Sequence, residues 1–289
     1  MSMSDNEKNK VEGGVLYLVA TPIGNLSDIS ERARKVLSEV DFVAAEDTRN
    51  SMKLLSCYGI HTELVSYFEH NKAKSGERII ARLLLGESCA LITDAGMPAI
   101  SDPGEDIVRL CAEAGIRVTV VPGACAAVSA LALSGLPTGK FCFEGFLSAQ
   151  KNERRARLGE LKHETRTVIY YEAPHKLRAT LGDMCEAFGE DRRISLCREL
   201  TKLNEEIMRV TLGEAVRYYE AHEPRGEYVL VVEGGTQKPV DNPLLSLTCE
   251  EHVLHYERLG QDRMSAIKSA ARDRGMSKSE LYKLLIDNK

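Results

Sequence analysis

Short apolar runs alternate with amphipathic segments along the first half of the chain. Five runs rich in β-branched and other apolar residues predict strands at 15–21, 42–47, 64–68, 89–96 and 117–123. Segments with apolar residues at helical spacing predict helices at 29–40, 51–58, 72–85 and 105–114. Since strands and helices alternate and the strands are almost continuously apolar, we predict a mainly parallel sheet covered on both faces.

The second half repeats this alternation. Further strands are predicted at 141–147, 165–173, 192–200, 205–212 and 227–235. Further helices are predicted at 151–163, 175–189 and 214–222. We therefore infer an α/β fold with a second α/β domain.

After this domain the pattern changes. TQKPVDNP has the composition of a linker, and the polar residues beyond it show helical spacing without strand patterns. Ala271, Gly275 and Leu281 have helix-turn-helix-like spacing, and a plain helical hairpin fits the same residues equally well. The predicted limits are 1–13 for a flexible tail, 14–136 and 137–235 for two α/β domains, 236–243 for the linker and 244–289 for a helical extension.

The uncharged stretch 118–139 is long enough to be tested as a membrane span. Pro122 and Gly123 divide it into a short strand and a segment too short to cross a bilayer. The sequence therefore predicts a strand followed by a buried helix, and no membrane partner.

Composition narrows the class of protein. The chain has 289 residues, of which 43% are hydrophobic and 28% charged, with a formal net charge of −5. This is a globular composition with enough apolar residues for a sizeable core, and it excludes general disorder. Mild acidity argues against a generally basic nucleic-acid coat but allows local basic faces. Two stretches, 150–178 and 258–289, each hold eight Lys and Arg against four Asp and Glu.

Several common sites are excluded by missing motifs. The eight cysteines contain no CxxC pair and mostly lie in apolar runs, so we expect buried free thiols in a reducing cytoplasm and no zinc site. The chain also lacks the P-loop, GxGxxG and GxSxG motifs, so a standard nucleotide site and a Ser-His-Asp hydrolase are not supported. His252 and His255 lack the HExxH context of a metal site, and we predict no metal.

Unusual residues collect at the ends of predicted strands, where open α/β sheets bind ligands. In ITDAGMPAISDPG, Gly96 would let a ligand approach the main chain, and Asp94 or Asp102 would bind an amino or hydroxyl group. Asp102 before Pro103 equally fits a helix cap. VPGACAAVSAL fits either a ligand at a helix N-terminus or a tight strand–helix junction. Charged groups that could serve as bases or phosphate contacts follow other strands, at 46–49, 69–71, 172, 175 and 198–202.

These motifs occur together in one family. LYLVATPIGNLSD, AEDTRNS, SYFEHN, LITDAGMPAISDPG, VPGACA, FEGFL, YYEAPHK, RELTKLNEE and GEYVLVVEGG lie in order over about residues 14–235. The set closely resembles a family of ribosomal RNA methyltransferases in the tetrapyrrole methylase superfamily. The resemblance implies two α/β domains with the methyl donor between them, a homodimer, and 2′-O-methylation of a cytidine in the decoding region of 16S rRNA with S-adenosylmethionine.

The resemblance also implies roles for individual residues. Donor contacts are expected from Asp94, Gly96, Met97, Gly123, Ala124, Cys125, Tyr171, Glu172 and Tyr228. In VPGACA, Cys125 stands where serine or threonine is common, so a backbone contact is expected there. A ribose hydroxyl is a poor nucleophile until its proton is taken, and we expect Glu199 to be the base, with Lys202 or Arg49 holding the adjacent phosphate. The net-basic stretch 150–178 is expected to contact RNA through Arg154, Arg155, Arg157, His175 and Lys176.

Two other functions stay open at this point. A methyltransferase that acts on a small tetrapyrrole would share the fold, but we would expect it to lack the basic stretch 150–178 and the C-terminal helices. A non-catalytic RNA-binding protein would not need the Gly- and Pro-shaped donor loops. The expected substrate is 16S rRNA within the small ribosomal subunit, in the cytoplasm.

Overall fold

The computed structural model describes residues 10–235 and 243–287. The chain forms two compact units, Met1–Gly235 and Thr236–Lys289. The predicted tail 1–13 and linker 236–243 fall almost entirely outside the described residues.

The first unit begins with a parallel five-stranded sheet in the order β3-β2-β4-β1-β5. Its strands are β1 Val15–Val19, β2 Phe42–Ala45, β3 Glu63–Ser66, β4 Cys89–Ile92 and β5 Arg117–Val121. The predicted parallel sheet is confirmed, but the predicted strands at 15–21, 42–47, 89–96 and 117–123 run past the observed carboxyl ends. At those points the chain leaves the sheet and turns, as it does at Gly96 with a φ of +86°.

Helices cover both faces of this sheet. They are α1 Glu31–Glu39, α2 Thr48–Cys57, α3 Lys72–Leu84 and α4 Gly104–Glu113. A 3-10 turn lies at Leu26–Asp28, and helix α5 Ala126–Ser134 follows this sheet in sequence. Alternate residues of β1 point to opposite faces: Tyr17 packs with α1 and α2, and Leu16 with α3 and α4. Burial on both faces explains why these strands are continuously apolar.

A second five-stranded sheet has the order β6-β7-β10-β8-β9. Its strands are β6 Phe141–Phe146, β7 Thr167–Glu172, β8 Arg193–Arg198, β9 Glu206–Thr211 and β10 Tyr228–Val232. β6 and β7 are parallel, and the other neighbouring pairs are antiparallel. One face is covered by α6 Lys151–Leu161, α7 Pro174–Phe188 and α8 Leu212–Ala221.

Helix α5 packs on the other face of this second sheet. Ala130 and Leu131 contact Ile169, Val229 and Val231 there. The uncharged stretch therefore forms a strand and a helix, as predicted, but α5 is buried only on the side that packs on the second sheet, and Val128 and Leu133 are exposed. Among the described residues, no helix combines the length and apolar content that crossing a membrane requires.

The eight cysteines are free thiols with different burial. Cys89, Cys111 and Cys197 are buried, as predicted, whereas Cys57 is exposed and the other four are partly buried. Burial raises the pKa of the Cys111 thiol to about 11, so this thiol is inert near neutral pH.

The second unit contains a 3-10 turn at Pro243–Ser246 and three helices, α9 Cys249–Arg258, α10 Arg263–Asp273 and α11 Lys278–Asp287. Val253, Ile267, Ala271 and Leu281 form its small core. Gly275, with a φ of +66°, turns the chain between α10 and α11. A third helix thus joins the helix–turn–helix pair that the sequence pattern indicates.

A buried histidine lies in this second unit. His252 is 0% exposed, and its Nδ1 accepts a hydrogen bond from Arg274 Nε at 3.1 Å. Its Nε2 lies 3.3 Å from Asp273 Oδ2. Burial lowers the pKa of His252, and the Arg274 charge lowers it further, while Asp273 opposes both effects. The folded unit therefore favours the neutral ring.

We expect the second unit to lose stability as the pH falls below about 6.5, the ordinary histidine pKa. The unfolded chain takes up a proton there that the folded His252 resists, so unfolding becomes more favourable. The protection factors of amides in 249–287, that is, their exchange rates corrected for the intrinsic pH dependence of exchange, should fall between pH 7.5 and 5.5. His252→Gln should weaken this pH dependence, and the matched change His255→Gln should leave it intact. Equal pH dependence in the two variants would contradict the assignment.

Candidate active site

A cavity of about 520 Å³ lies where loops from both sheets of the first unit meet. Its walls include Ile23 after β1, Glu46 after β2, residues 93–97 after β4 and Cys125 after β5. The ends of β7 and β8 and the start of β10 complete it. Parallel α/β sheets bind ligands at these carboxyl ends, and about 300–1,000 Å³ is the usual volume of small-molecule sites.

The loop after β4 is tied to the end of β1 by two backbone hydrogen bonds. Thr21 N donates to Gly96 O at 2.9 Å, and Gly96 N donates to Thr21 O at 3.1 Å. Gly96 has a φ of +86°, and a Cβ there would lie 3.1 Å from Ile23 Cγ2. Glycine therefore suits both the conformation and the space at this wall.

The same loop continues through a strained turn. Ala99 and Ser101 have φ values of 65° and 64°, a left-handed conformation that costs roughly 1–3 kcal/mol per residue. Asp102 Oδ1 accepts hydrogen bonds from Ala99 N at 3.0 Å and Gly104 N at 2.7 Å. The predicted capping role of Asp102 is thus present in Oδ1. Its Oδ2 is buried and has no hydrogen-bond partner among the described residues, and Asp102 lines the cavity.

A charged cluster follows β8 on the opposite wall. Glu199 Oε1 accepts hydrogen bonds from Lys202 Nζ and Glu227 N, both at 2.9 Å, and Lys202 Nζ also donates to Glu227 Oε2 at 2.9 Å. We call Glu199, Lys202 and Glu227 the β8 cluster. Glu199 has a φ of 51°, and a Cβ on the neighbouring Gly226 would lie 2.5 Å from Glu199 Cγ.

Two carboxyl groups of the cavity differ in acidity. The hydrogen bonds from Glu227 N and Lys202 lower the pKa of Glu199. Partial burial and the charges of Asp94 and Asp102 raise the pKa of Glu46. Glu46 is therefore the stronger proton acceptor of the two.

Lys202 remains a cation at neutral pH. Burial alone would lower its pKa, but the hydrogen bonds to Glu199 and Glu227 outweigh that effect and raise it. An amine with a raised pKa cannot act as a base near neutral pH. It can hold an anionic group instead.

The cavity is strongly acidic. Six carboxyl groups and the Lys202 amine line it within the described part of the chain. Such a cavity attracts an organic cation and repels phosphate. The carboxyl groups belong to Glu46, Asp94, Asp102, Glu172, Glu199 and Glu227.

Most predicted site residues meet in this cavity. It is lined by Asp94, Gly96, Met97, Cys125, Tyr171, Glu172, Glu199, Lys202 and Tyr228. Glu172 is 2% exposed, and it accepts hydrogen bonds from Thr180 Oγ1 at 2.5 Å and Ala173 N at 2.9 Å. Its carboxylate thus also supports the start of α7.

Three of the residues predicted to bind the donor or take part in catalysis do not line the cavity. A Cβ at Gly123 would lie 2.8 Å from Ala20 Cβ, so this glycine lets the chain after β5 pass close to the chain after β1. Ala124 lies behind the wall, its carbonyl oxygen 3.5 Å from the position of a Cβ on Gly96. Arg49 has an 86% exposed side chain that is paired with Asp47 at 3.0 Å.

The sequence patterns missed other wall residues. Glu227 was overlooked although it directly precedes the apolar run of β10. Asn50 Nδ2 donates to Asp94 Oδ2 at 3.1 Å and so orients a predicted donor contact. The apolar residues of the wall belong to no recognisable motif, but they lie within a few residues of the strand ends, which is the signal that could have located them. They include Ile23, Ile100, Phe146 and Leu200.

One predicted RNA contact is corrected by its burial. Arg154 is 6% exposed, and its guanidinium bonds Asp183 Oδ2 through Nε at 2.8 Å and Nη2 at 2.6 Å. Its Nη1 donates to the carbonyl oxygens of Ser148 and Ala149. A buried guanidinium with these partners does not reach a phosphate, so Arg154 has a structural role.

The other predicted RNA contacts are more accessible. Arg155 and Arg157 have side chains 42% and 47% exposed, in ion pairs with acidic neighbours. His175 is exposed, whereas Lys176 is bound to Glu172 at 3.2 Å. Each arginine also pairs with an exposed carboxylate, Arg155 with Glu186 and Arg157 with Glu160. Exposed ion pairs contribute about 0–1 kcal/mol, so these two contacts can be exchanged for a phosphate. Among the described residues, no group of three His, Cys, Asp or Glu side chains could hold a metal ion.

The family model described as Tetrapyrrole (Corrin/Porphyrin) Methylases matches residues 15–216. The chain belongs to the tetrapyrrole methylase family. A relative named ribosomal RNA small subunit methyltransferase I from Halalkalibacterium halodurans is 48% identical over 98% of this chain and 99% of its own. The protein of the same name from Escherichia coli O157:H7 is 43% identical over 95% of each chain.

Solved structures of tetrapyrrole methylases share the fold. Uroporphyrin-III-C-methyltransferase from Thermus thermophilus gives a TM-score of 0.55 at 22% identity and covers 76% of this chain and 94% of its own. Cobalt precorrin-4 methyltransferase gives a TM-score of 0.56 at 17% identity, with 76% and 95% covered. The predicted fold class is confirmed, and this tetrapyrrole methylase is a methyltransferase that uses S-adenosylmethionine.

The cavity fits this donor. S-adenosylmethionine carries a sulfonium and an amino group, and the acidic lining favours both positive charges. Ile23, Met97 and Val229 provide apolar surface beside them. The unpartnered Asp102 Oδ2 and the backbone beside Gly96 offer polar contacts. The residues present therefore suit the donor in volume, charge and polarity.

Proposed function

We propose that this tetrapyrrole methylase transfers a methyl group to the 2′-oxygen of a cytidine in the decoding region of 16S rRNA, within the small ribosomal subunit. The observation that carries the proposal is the share of this chain that its relatives match. The Halalkalibacterium halodurans relative, named for small-subunit ribosomal RNA, matches 98% of this chain, whereas the tetrapyrrole enzymes cover 76%. Likeness over nearly the whole chain favours RNA over a tetrapyrrole.

We propose that the acidic cavity binds the methyl donor and that basic residues outside it bind the RNA backbone. An acidic cavity accepts the cationic donor and keeps phosphates outside, so RNA reaches it through a ribose hydroxyl. Lys202 supplies a cation at the wall, and Arg155, Arg157, His175 and Lys176 supply further contacts. Arg49, exposed beside Asp47, remains a candidate for the adjacent phosphate.

S-adenosylmethionine, when bound, supplies an electrophilic methyl group on a good leaving group. The chain therefore has to position the ribose oxygen in line with that methyl group and accept its proton. Asp94 is held by Asn50 at 3.1 Å as a donor contact. Glu199 is the base expected first from the sequence, and Glu46, the next alternative together with Asp47 and His70, is favoured because its pKa is raised rather than lowered.

Exposed apolar side chains support a homodimer. Helix α5 is apolar on all sides, and Val128 and Leu133 are 53% and 38% exposed. Val120 on the edge strand β5 is 42% exposed. We propose that a second copy covers this surface in the cytoplasm, where ribosomal subunits are found. A monomeric mass by light scattering would contradict this.

The test is transfer of labelled methyl groups to small subunits from cells that lack this modification, followed by nuclease mapping. We expect label on the ribose of one decoding-region cytidine, and less transfer to naked 16S rRNA. Donor binding without transfer would favour a small-molecule substrate. Absence of donor binding would favour a non-catalytic RNA-binding protein.

The same assay compares the two candidate bases. Glu46→Gln should lower the single-turnover rate by about 10²–10⁴-fold, the usual contribution of a general base. Glu199→Gln should lower it less, because Glu199 is already held by Lys202 and Glu227 N. Calorimetry should show similar donor affinity in both variants. The reverse order of rates would assign the base to Glu199.

A further inference from the structure

A second cavity adjoins the cavity described above, which we call the donor cavity because its lining suits S-adenosylmethionine. It measures about 360 Å³ and shares Tyr228 with the first as a lining residue. It lies where β8 ends, β10 begins and α8 ends, with Arg198, Tyr218, His222 and Arg225 in its walls. The established motifs and the proposed catalytic groups leave this cavity without a role.

Two aromatic rings form a platform in its wall. The ring of His222 stacks on that of Tyr218, with centroids 4.1 Å apart and planes 10° from parallel. His222 Nδ1 lies 2.9 Å from the carbonyl oxygen of Tyr218, so a proton on Nδ1 donates to it. His222 is exposed and Tyr218 is 37% exposed. The rings are thus ordered and accessible together.

The chain around the platform is held in place. Arg178 Nε donates to Tyr219 O at 2.6 Å, and Arg178 Nη2 donates to His222 O at 3.2 Å. Tyr219 is buried and meets Tyr228 edge to face at 6.0 Å. A preorganised aromatic surface binds a flat ligand with little loss of entropy.

The charges of this cavity differ from those of the donor cavity. Arg198 pairs with Glu206 at 2.9 Å, and Arg225 pairs with Glu223 at 3.2 Å. The Arg225 and Glu223 side chains are 77% and 73% exposed, so their attraction is weak and easily exchanged. A phosphate can therefore approach here, whereas the carboxyl groups of the donor cavity repel it.

We propose that this second cavity binds a nucleotide that flanks the methylated cytidine in single-stranded RNA. The flanking base stacks on the Tyr218–His222 platform, and Arg225 contacts its phosphate. Proteins hold single-stranded RNA by this combination of aromatic stacking and basic side chains. The shared wall at Tyr228 places the flanking nucleotide beside the reacting one. This inference rests on the proposed function.

The test measures KM for small ribosomal subunits, kcat and donor affinity in the full chain. His222→Ala should raise KM about tenfold, the scale of one lost stacking contact, and leave donor affinity unchanged. His222→Phe keeps a flat ring and should restore KM to within twofold. His163→Ala makes the same change at an exposed histidine outside this cavity and should have no effect.

The outcomes separate this inference from the proposed function. If the wild type methylates subunits and His222→Ala changes KM less than twofold, the cavity does not bind the flanking nucleotide. If the wild type does not methylate RNA, the proposed function fails. Binding of fluorescein-labelled hexacytidylate then tests, independently of methyl transfer, whether the second cavity binds single-stranded RNA. Loss of that binding in His222→Ala but not in His222→Phe would keep it as a single-strand site. Equal or absent binding would overturn it.

Discussion

Replacing Gly226 with alanine is expected to reduce methyl transfer by about a hundredfold, the scale of the effect when a mutation shifts the groups of an active site by about an ångström. The new Cβ would lie 2.5 Å from Glu199 Cγ and 2.7 Å from Glu199 Oε1. The Glu199 side chain must then move, and its bonds to Lys202 and Glu227 N break. The single-turnover rate on small subunits measures the effect.

Gly115→Ala is the matched control. Gly226 and Gly115 have φ values of +76° and +68°, so alanine is strained equally at both. Among the described residues no atom lies within 4 Å of a Cβ at Gly115. Gly226→Ala should lose somewhat more stability, because it also breaks the Glu199 hydrogen bonds, and Gly115→Ala should keep its activity. Equal activity in both would show that the position of Glu199 is unimportant for transfer.

Replacing Arg154 with alanine is expected to destabilise the protein by about 3 kcal/mol, the lower end of the usual cost of removing one partner of a buried ion pair. Asp183 is 6% exposed, and its Oδ2 would lose both hydrogen bonds from Arg154 while its Oδ1 keeps the bond from Arg155. For a chain of this size the melting temperature should fall by roughly 10 °C. Differential scanning calorimetry measures it.

Arg155→Ala removes the neighbouring arginine from the same carboxylate. Its side chain is 42% exposed, and Asp183 would keep its bond to Arg154. We expect a loss below about 1 kcal/mol in stability and a weaker affinity for small subunits. If Arg154→Ala instead left the melting temperature unchanged and weakened RNA binding, the arginine would be an RNA contact after all.

The first sheet could be predicted from local pattern. Its central strands β1, β2 and β4 are buried on both faces, so each is a continuous apolar run such as VLYLV or CALI. The helices between them cover those faces, and their apolar residues recur at the 3.6-residue spacing of an amphipathic helix. The predicted strands 89–96 and 117–123 end too late, because residues such as Gly96 and Pro122 do not continue a regular strand.

The arrangement of the second sheet could not be predicted from the local sequence pattern. Its five strands were predicted, but their order and antiparallel pairing depend on contacts between distant segments. Helix α5 is uniformly apolar, so nothing in its sequence selects the sheet on which it packs. The basic stretch 150–178 was correctly counted, but Asp183, outside that stretch, turns Arg154 into a buried structural residue.

By itself, the sequence determined the strands, the helices and the motif residues that line the donor cavity, because these depend on local periodicity and on Gly, Pro and Asp at strand ends. Only the tertiary structure decided which carboxyl group has a raised pKa and which a lowered one. Those values depend on burial and on charges such as Asp94, Asp102 and Lys202, which other segments bring within reach. The same long-range packing placed the Tyr218–His222 platform beside the donor cavity, since Tyr228 joins the two walls.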